Sequence, residues 1–391
     1  MIRLGFWVAA LVVAWTYVLF PILILVRGRV RPRSHLVAPI EPTVAVVVAA
    51  RNEALSIGTK ARDLLALDYP SEHLSACIVS DGSDDGTAAV ARVAGGDRLL
   101  VLDLPPTGKA GALDAGVRAT QSDVIVFTDA NSRLRPSSIR ALVRHFADAT
   151  VGGVAGNQVY TSADAPVASE TGERAYWGLD TALKAAESAA GNAVSATGAL
   201  YAIRREHYSP IPPGVNDDFY LSLGVIEAGD RLVFDAQAVA EEPVAPSVDA
   251  EFARKVRVVT RAMRAIGRRR RLLDVRRYGF YSLQLLSHKV LRWAMPVPLA
   301  VLLMTSGMLA RRGPLYALAA MGQVAAYAAA LVGLAAPQSP IARSRIVSIP
   351  AYFCLVNAAA VRAAWNVATG RSIDRWVTAR DPVGGTEGGR S

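Results

Sequence analysis

Charge is scarce in this 391-residue chain: Asp, Glu, Lys and Arg make up 19% of it, against 52% hydrophobic residues. Soluble domains carry roughly 25% charged residues. The deficit excludes a disordered, solvated chain and leaves a large apolar surface to be hidden from water or placed in lipid. Cysteine is nearly absent: Cys77 and Cys354 lie far apart, which excludes a disulfide framework and a thiolate zinc site. The five histidines are scattered singly, without the helically spaced pair of a metalloprotease. Lysine is confined to Lys60, Lys109, Lys184, Lys255 and Lys289, so the net charge of +10 rests almost wholly on arginine.

What is present is a set of long uncharged runs. Gly5 to Val26, Trp293 to Ala310 and Gly313 to Ala342 contain no acidic or basic residue, and Ile346 to Val361 is a shorter run of the same kind. A helix needs about 20 apolar residues to cross a bilayer core, so these segments read as membrane spans. The first follows Arg3 but is long and lacks a small-residue cleavage pattern before Arg27, so it reads as a retained anchor rather than a secretory signal. Pro296 and Pro298 in the second run, and Arg362 just after the fourth, mark places where a segment could re-enter or line an aqueous path.

Arginines crowd Arg27 to Arg33 and Arg254 to Arg277, beside the apolar runs and without interleaved aromatic residues suited to base stacking. The pattern speaks for anionic lipid headgroups and against a nucleic-acid partner. It predicts an external N-terminus and an integral protein of a bacterial inner membrane with its middle in the cytosol. The expected organisation is an N-terminal anchor over 1–27, a cytosolic domain over 28–245, basic interfacial helices over 246–289, about three spans over 290–369, and a tail over 370–391 with a disordered Gly-rich end.

In the middle, Thr43 to Ala49, Leu74 to Ser80, Arg98 to Asp103 and Asp123 to Thr128 are short, nearly continuous apolar runs. Such runs suit parallel strands covered on both faces, and Glu53 to Leu67, Gly86 to Ala94 and Gly108 to Thr120 are long enough for crossover helices. The predicted fold is α/β, Rossmann-like, with a mostly parallel sheet, whose ligand lies beyond the strand carboxyl ends. Polar groups occur at those ends: Arg51-Asn52-Glu53 after the first strand, Asp81 to Thr87 after the second and Asp129-Ala130-Asn131 after the fourth. Turn chemistry alone favours Asp, Gly and Ser. It does not explain three acidic groups converging at one sheet edge of a basic protein. Clustered carboxylates suit a divalent cation, sugar hydroxyls or a nucleobase imino group, and neither a glycine-rich dinucleotide fingerprint nor a Walker loop accompanies them.

These residues resemble the family 2 glycosyltransferases of GT-A fold, particularly the membrane-embedded polysaccharide synthases. VVVAARNEA (Val46 to Ala54) and VSDGSDDGT (Val79 to Thr87) resemble that family's two nucleotide loops, and GKAGALDAG (Gly108 to Gly116) its lysine segment near the diphosphate. The resemblance implies an inverting hexosyltransferase that uses a nucleotide-sugar donor, UDP-linked, and a glycan or lipid-linked acceptor. By that resemblance Arg51, Glu53, Asp81, Lys109 and Asp129 bind the donor, with Glu53 near the ribose and Asp81 near the uracil N3–H. Asp129-Ala130-Asn131 occupies the place of the DxD motif that holds Mg2+ or Mn2+, here with an amide at Asn131 in place of the second carboxylate.

SATGALYAIRR (Ser195 to Arg205) resembles the acceptor-side segment, implying that role for Thr197, Gly198 and Ala199, and NDDFYLSLGVIEAG (Asn216 to Gly229) resembles the stretch whose last acid is the base. Asp218 is then the catalytic base and Asp217 an acceptor-side residue. A helix N-cap with acids favoured by the helix dipole is the plainer reading of Asn216-Asp217-Asp218. The QxxRW motif of processive members is missing: Arg254 to Arg261 has neither its Gln nor its Trp. Arg257 and Arg261, four residues apart on one helix face, are candidate phosphate contacts. That departure leaves a growing polysaccharide and a single transfer to polyprenyl phosphate or another lipid both open, beside a catalytically silent scaffold that only binds nucleotide sugar.

Overall fold

The computed structural model describes residues 1–161, 180–243 and 247–371. Eight strands form one sheet: β1 Val44–Ala50, β2 Leu74–Asp81, β3 Leu100–Leu104, β4 Val124–Phe127, β5 Arg133–Leu134, β6 Val151–Thr161, β7 Tyr201–Arg204 and β8 Arg231–Pro243. Their order is β3-β2-β1-β4-β7-β6-β8-β5. The β3-β2-β1-β4 half is parallel throughout, and β7 then enters antiparallel between β4 and β6.

All seven residues of β1 are buried. Val44, Val46, Val48 and Ala50 pack with Ile57, Ala61 and Leu64 of helix Ala54–Leu65, whereas Val47 and Ala49 pack on the opposite face with Leu113 and Val117 of helix Gly108–Arg118. A strand covered on both faces has no polar side to present, which is why its sequence does not alternate. Helix Gly108–Arg118 approaches so closely that a Cβ at Gly116 would lie 2.6 Å from the Val47 side chain. Between β1 and β4 the chain reverses its direction of travel across the sheet, and the strand carboxyl ends there open a crevice.

Three helices are long and apolar enough to cross a membrane: Ile2–Val30, Pro314–Ala335 and Arg345–Ala368. Phe280–Ala294 and Pro296–Arg312 make a fourth candidate, bent by 59° where Pro296 interrupts the backbone ladder. The chain therefore bends near the start of the Trp293 to Ala310 run, and three candidate spans lie C-terminal of the sheet domain if the bent pair counts as one. The uncharged run to Ala342 does not stay helical: the helix ends at Ala335, before Pro337 and Pro340. The first helix continues to Val30, three residues past the expected anchor. Leu4, Trp7, Leu11, Leu318, Met321 and Leu331 are exposed on these helices, an apolar surface suited to lipid. Together they give the protein its membrane association.

Helix Val248–Arg268, capped by Ser247 Oγ accepting from Ala250 N at 3.1 Å, packs between the sheet domain and helix Arg345–Ala368. The basic stretch expected at the interface is thus also a structural joint. Most of the tail expected over 370–391 lies outside the described residues.

Candidate active site

The loops after β1 and β2 are laced together. Asn52, at φ +52°, accepts through Oδ1 from Asp84 N at 3.2 Å, and its own N–H donates to Ser83 Oγ at 3.2 Å. Glu53 N donates to Thr87 Oγ1 at 2.8 Å, and Ala54 N to Asp85 Oδ2 at 2.9 Å. Asp85 therefore satisfies an orphan N–H at the start of one helix while fixing Thr87 at the start of the next. Arg51 and Glu53 sit half-buried on this rim.

Asp81 is fully buried. Its Oδ1 accepts from Thr107 N at 2.6 Å and Thr107 Oγ1 at 2.8 Å, and its Oδ2 from Gly108 N at 2.9 Å. The carboxylate sits at the N-terminal end of helix Gly108–Arg118, where the helix dipole favours it. In doing so it places Lys109.

Lys109 Nζ bridges Asp129 Oδ1 at 2.8 Å and Asp217 Oδ1 at 2.9 Å. Burial alone would lower the lysine pKa, but the two carboxylates outweigh it and hold the group charged. Burial works against Asp129 in turn, and Lys109 overrides it, keeping Asp129 below its ordinary range with help from Lys60 and Arg257. Arg257 thus faces the acidic centre. Its own pKa is lowered by burial and by the neighbouring Arg261 and Arg254, so the three arginines form one concentrated positive patch.

Asp217 also accepts from the buried Tyr201 hydroxyl at 3.0 Å, and Tyr201 stacks on Phe127 with ring centroids 4.9 Å apart. Among the described residues no cation pairs directly with Asp218. Its pKa is pushed up to about 7, first by burial and then by the charge of Asp217, against the pull of Lys109. Two adjacent acids thus differ sharply: one is locked in an ion pair, and the other is poised near neutrality, as a general base should be.

Thr197, Gly198 and Ala199 form the wall opposite. A Cβ at Gly198 would stand 3.0 Å from Asp129 Oδ2, and the Ala199 carbonyl accepts from Thr128 Oγ1 at 2.7 Å. Asn131 is exposed two residues beyond Asp129. Among the described residues no group of three or more His, Cys, Asp or Glu could cage a metal. Asp129 and the Asn131 amide do fit a hard cation that takes its remaining oxygens from a bound phosphate and water, as Mg2+ commonly does.

Sequence reasoning missed Lys60. It is buried, its pKa is held down to about 7 by burial, and it donates to Thr128 Oγ1 at 2.8 Å and to the Ser132 carbonyl at 2.7 Å, bracketing the Asp129 turn from beneath. The scarcity of lysine singled out Lys109 and applied equally to this one. It also missed a cavity of about 440 Å3 that runs from Asp218, Asn216 and Thr197 to Tyr352 and Val356 of helix Arg345–Ala368.

A model for the family named Glycosyltransferase like family 2 matches residues 42–269, more than half of the chain. The protein belongs to that glycosyltransferase family. The glycosyltransferase is 32% identical over 124 residues to the beta-monoglucosyldiacylglycerol synthase of Synechocystis sp., a match covering 29% of this chain and 25% of that one. It is 24% identical over 219 residues to an N-acetylglucosaminyltransferase of Azorhizobium caulinodans, covering 52% of this chain and 55% of that one. The chain thus spans from a quarter to about half the length of these curated relatives. Among solved structures it resembles a mannosyltransferase of Pyrobaculum calidifontis, determined with GDP-Man and Mn2+, at 23% identity and a TM-score of 0.66 over 93% of this chain and 99% of that one. The GT-A fold of this enzyme therefore extends beyond the sheet domain in its resemblance.

Proposed function

We propose that this glycosyltransferase moves a sugar, with inversion, from a nucleoside-diphosphate donor to a lipid-borne acceptor at the membrane face, with Asp218 as base. The observation that carries the reading is the cavity that runs from Asp218 to the candidate membrane helices. An acceptor reaching Asp218 by that route comes from the bilayer. The relatives that synthesise a glucosyl glycerolipid support the same class of acceptor.

In this reading the donor lies across the crevice between the Asn52-Glu53 and Asp81–Thr87 loops and Lys109, with its sugar toward Gly198. Arg51, Glu53 and Asp81 belong to the nucleotide side, and Arg257 and Arg261 to the phosphate side. Asp129 and Asn131 would hold Mg2+ or Mn2+, which when bound offsets charge on the departing diphosphate. Lys109 and Arg257 supply fixed positive charge to the same end. Asp218 takes the proton of the acceptor hydroxyl as that oxygen attacks opposite the leaving group. The arginine-rich flanks support the reading that the catalytic domain faces the cytosol at a bacterial inner membrane, where such donors are made.

A growing polysaccharide is the second reading, favoured by the candidate spans beside the site. Nucleotide release by detergent-purified protein, measured over uridine- and guanosine-linked sugars with Mn2+ or chelator, tests the donor half. Release that requires both metal and Asp218 supports it, and metal-independent release by Asp218→Asn contradicts it.

A further inference from the structure

The cavity beside Asp218 carries a polar pattern that transfer chemistry alone does not require. Three of its lining residues bear buried polar atoms with no hydrogen-bond partner: Thr197 Oγ1, Arg292 Nε and Asn357 Oδ1. Buried polar groups in native proteins are nearly always satisfied, so three orphans on one cavity mark a ligand that satisfies them. Asn357 Nδ2 donates to the Phe353 carbonyl at 2.8 Å, which fixes the amide orientation and leaves Oδ1 as an acceptor in search of a donor.

The charges sort in the same way. Lys184 is paired with Asp180 at 3.0 Å, and Lys255 with Glu251 at 3.4 Å. Lys289 and Arg292 also line the cavity, and among the described residues neither makes an ion pair. Lys289 Nζ lies 5.6 Å from the ring centroid of Phe219, the residue after Asp218, so this positive charge stands close to the base. The outer wall is apolar, with Val259, Ile349, Phe353 and Val356.

Two π-helical turns build this corner. Trp15–Leu19 contributes Tyr17, Leu286–Val290 contributes Lys289, and the two are joined by Trp15 Nε1 donating to Ser287 Oγ at 3.0 Å. Such turns interrupt the helix ladder at a cost and recur at functional sites.

A ligand that answers all of this needs an apolar tail for the wall, anionic oxygens for Lys289 and Arg292, and two hydroxyls, one donating to Asn357 Oδ1 and one to the base. We propose that the cavity binds the headgroup of an anionic, polyhydroxylated phospholipid, its phosphodiester on Lys289 and Arg292, one hydroxyl on Asn357 and another on Asp218. This rests on the lipid-acceptor reading above and names its substrate class. The proton of the hydroxyl at Asp218 passes to that carboxylate as the hydroxyl oxygen bonds the anomeric carbon. The bond from that carbon to the donor diphosphate breaks, its electron pair leaving with the nucleoside diphosphate, and the phosphodiester is unchanged.

The test is lipid retention by the detergent-purified full-length protein, counted by native mass spectrometry without any sugar donor, so that its outcome is independent of whether transfer occurs. The probes are dioleoylphosphatidylglycerol, dioleoylphosphatidylmethanol, which keeps the charge but lacks the hydroxyl, and dioleoylglycerol, which lacks the phosphate. The wild type retains phosphatidylglycerol at least about tenfold over dioleoylglycerol, the loss expected when a charge-assisted hydrogen bond is missing. Lys289→Gln with Arg292→Gln removes that preference, and Arg292→Lys keeps part of it. Asn357→Leu keeps the preference for phosphate and lowers the one for phosphatidylglycerol over phosphatidylmethanol. Unchanged nucleoside-diphosphate binding shows that each variant is folded. Equal retention of dioleoylglycerol by the wild type overturns the proposal, as does displacement of phosphatidylglycerol by glycerol 1-phosphate at similar concentration.

Discussion

Lys109 Nζ stands 2.8 Å from Asp129 Oδ1, so the carboxylate at the metal position is already neutralised before any donor arrives. The same ammonium holds Asp217 at 2.9 Å. Lys109→Met leaves two carboxylates facing each other without a counter-charge and removes one positive charge from the diphosphate side. We expect kcat to fall by about 10²–10³-fold, the usual cost of losing a preorganised charge stabiliser. Steady-state kinetics with saturating donor checks this, and a loss smaller than tenfold contradicts the role.

The pH dependence follows from Asp218. Its carboxylate accepts a proton only when ionised, and its pKa is pushed up to about 7 by burial and by Asp217. Activity therefore rises with pH through about 7 and levels above it. The stability sign is the reverse. The folded state holds this proton more tightly than the unfolded chain, so stability from this group is present below the ordinary carboxylate pKa and is lost as pH rises through about 7. Asp218→Asn should lose most of its activity yet melt at a higher temperature than wild type at pH 8, with the difference vanishing near pH 4. Thermal melts at the two pH values measure it.

Gly198 tests the contact with Asp129. A Cβ there meets Asp129 Oδ2 at 3.0 Å, close enough to turn the carboxylate away from its present position. Gly198→Ala should raise the Mn2+ concentration needed for half-maximal activity several-fold, while stability changes by less than about 1 kcal/mol. A metal titration of activity, beside a denaturant melt, separates the two effects.

Lys60 acts on the same turn from below. Lys60→Met keeps the length but takes the lysine donor away from the Ser132 carbonyl and from Thr128 Oγ1, which still donates to the Ala199 carbonyl. Leaving the buried carbonyl without that donor costs about 1–3 kcal/mol. Because folding depresses the lysine pKa to about 7, the wild type gains stability from this group as pH rises from about 7 toward 10, and the Met variant loses that slope. Urea melts across that range provide the measurement.

Much of this architecture was legible in the residues. Continuous apolar runs in β1 and β4 announced strands buried on both faces, and the acids that follow them had to share one sheet edge once the strands were parallel. The long uncharged runs announced helices suited to lipid. What stayed hidden depends on long-range packing. Nothing local to Lys60 says that it turns inward under Thr128, 68 positions away. Nor does the sequence around Arg292 or Asn357 say that two elements distant in the chain close one cavity around Asp218. The difference between Asp217 and Asp218 is likewise a product of who faces Lys109, which a run of two identical letters cannot encode.

Transfer at Asp218 to a lipid is tested most directly by incorporation of radiolabelled sugar into the organic-extractable fraction by full-length protein reconstituted in phospholipid vesicles, comparing wild type with Asp218→Asn under Mn2+. Label is expected in the lipid phase with wild type, with a loss of about 10²–10⁴-fold in the variant. Label that stays in water-soluble polymer, or a variant as active as wild type, would contradict it.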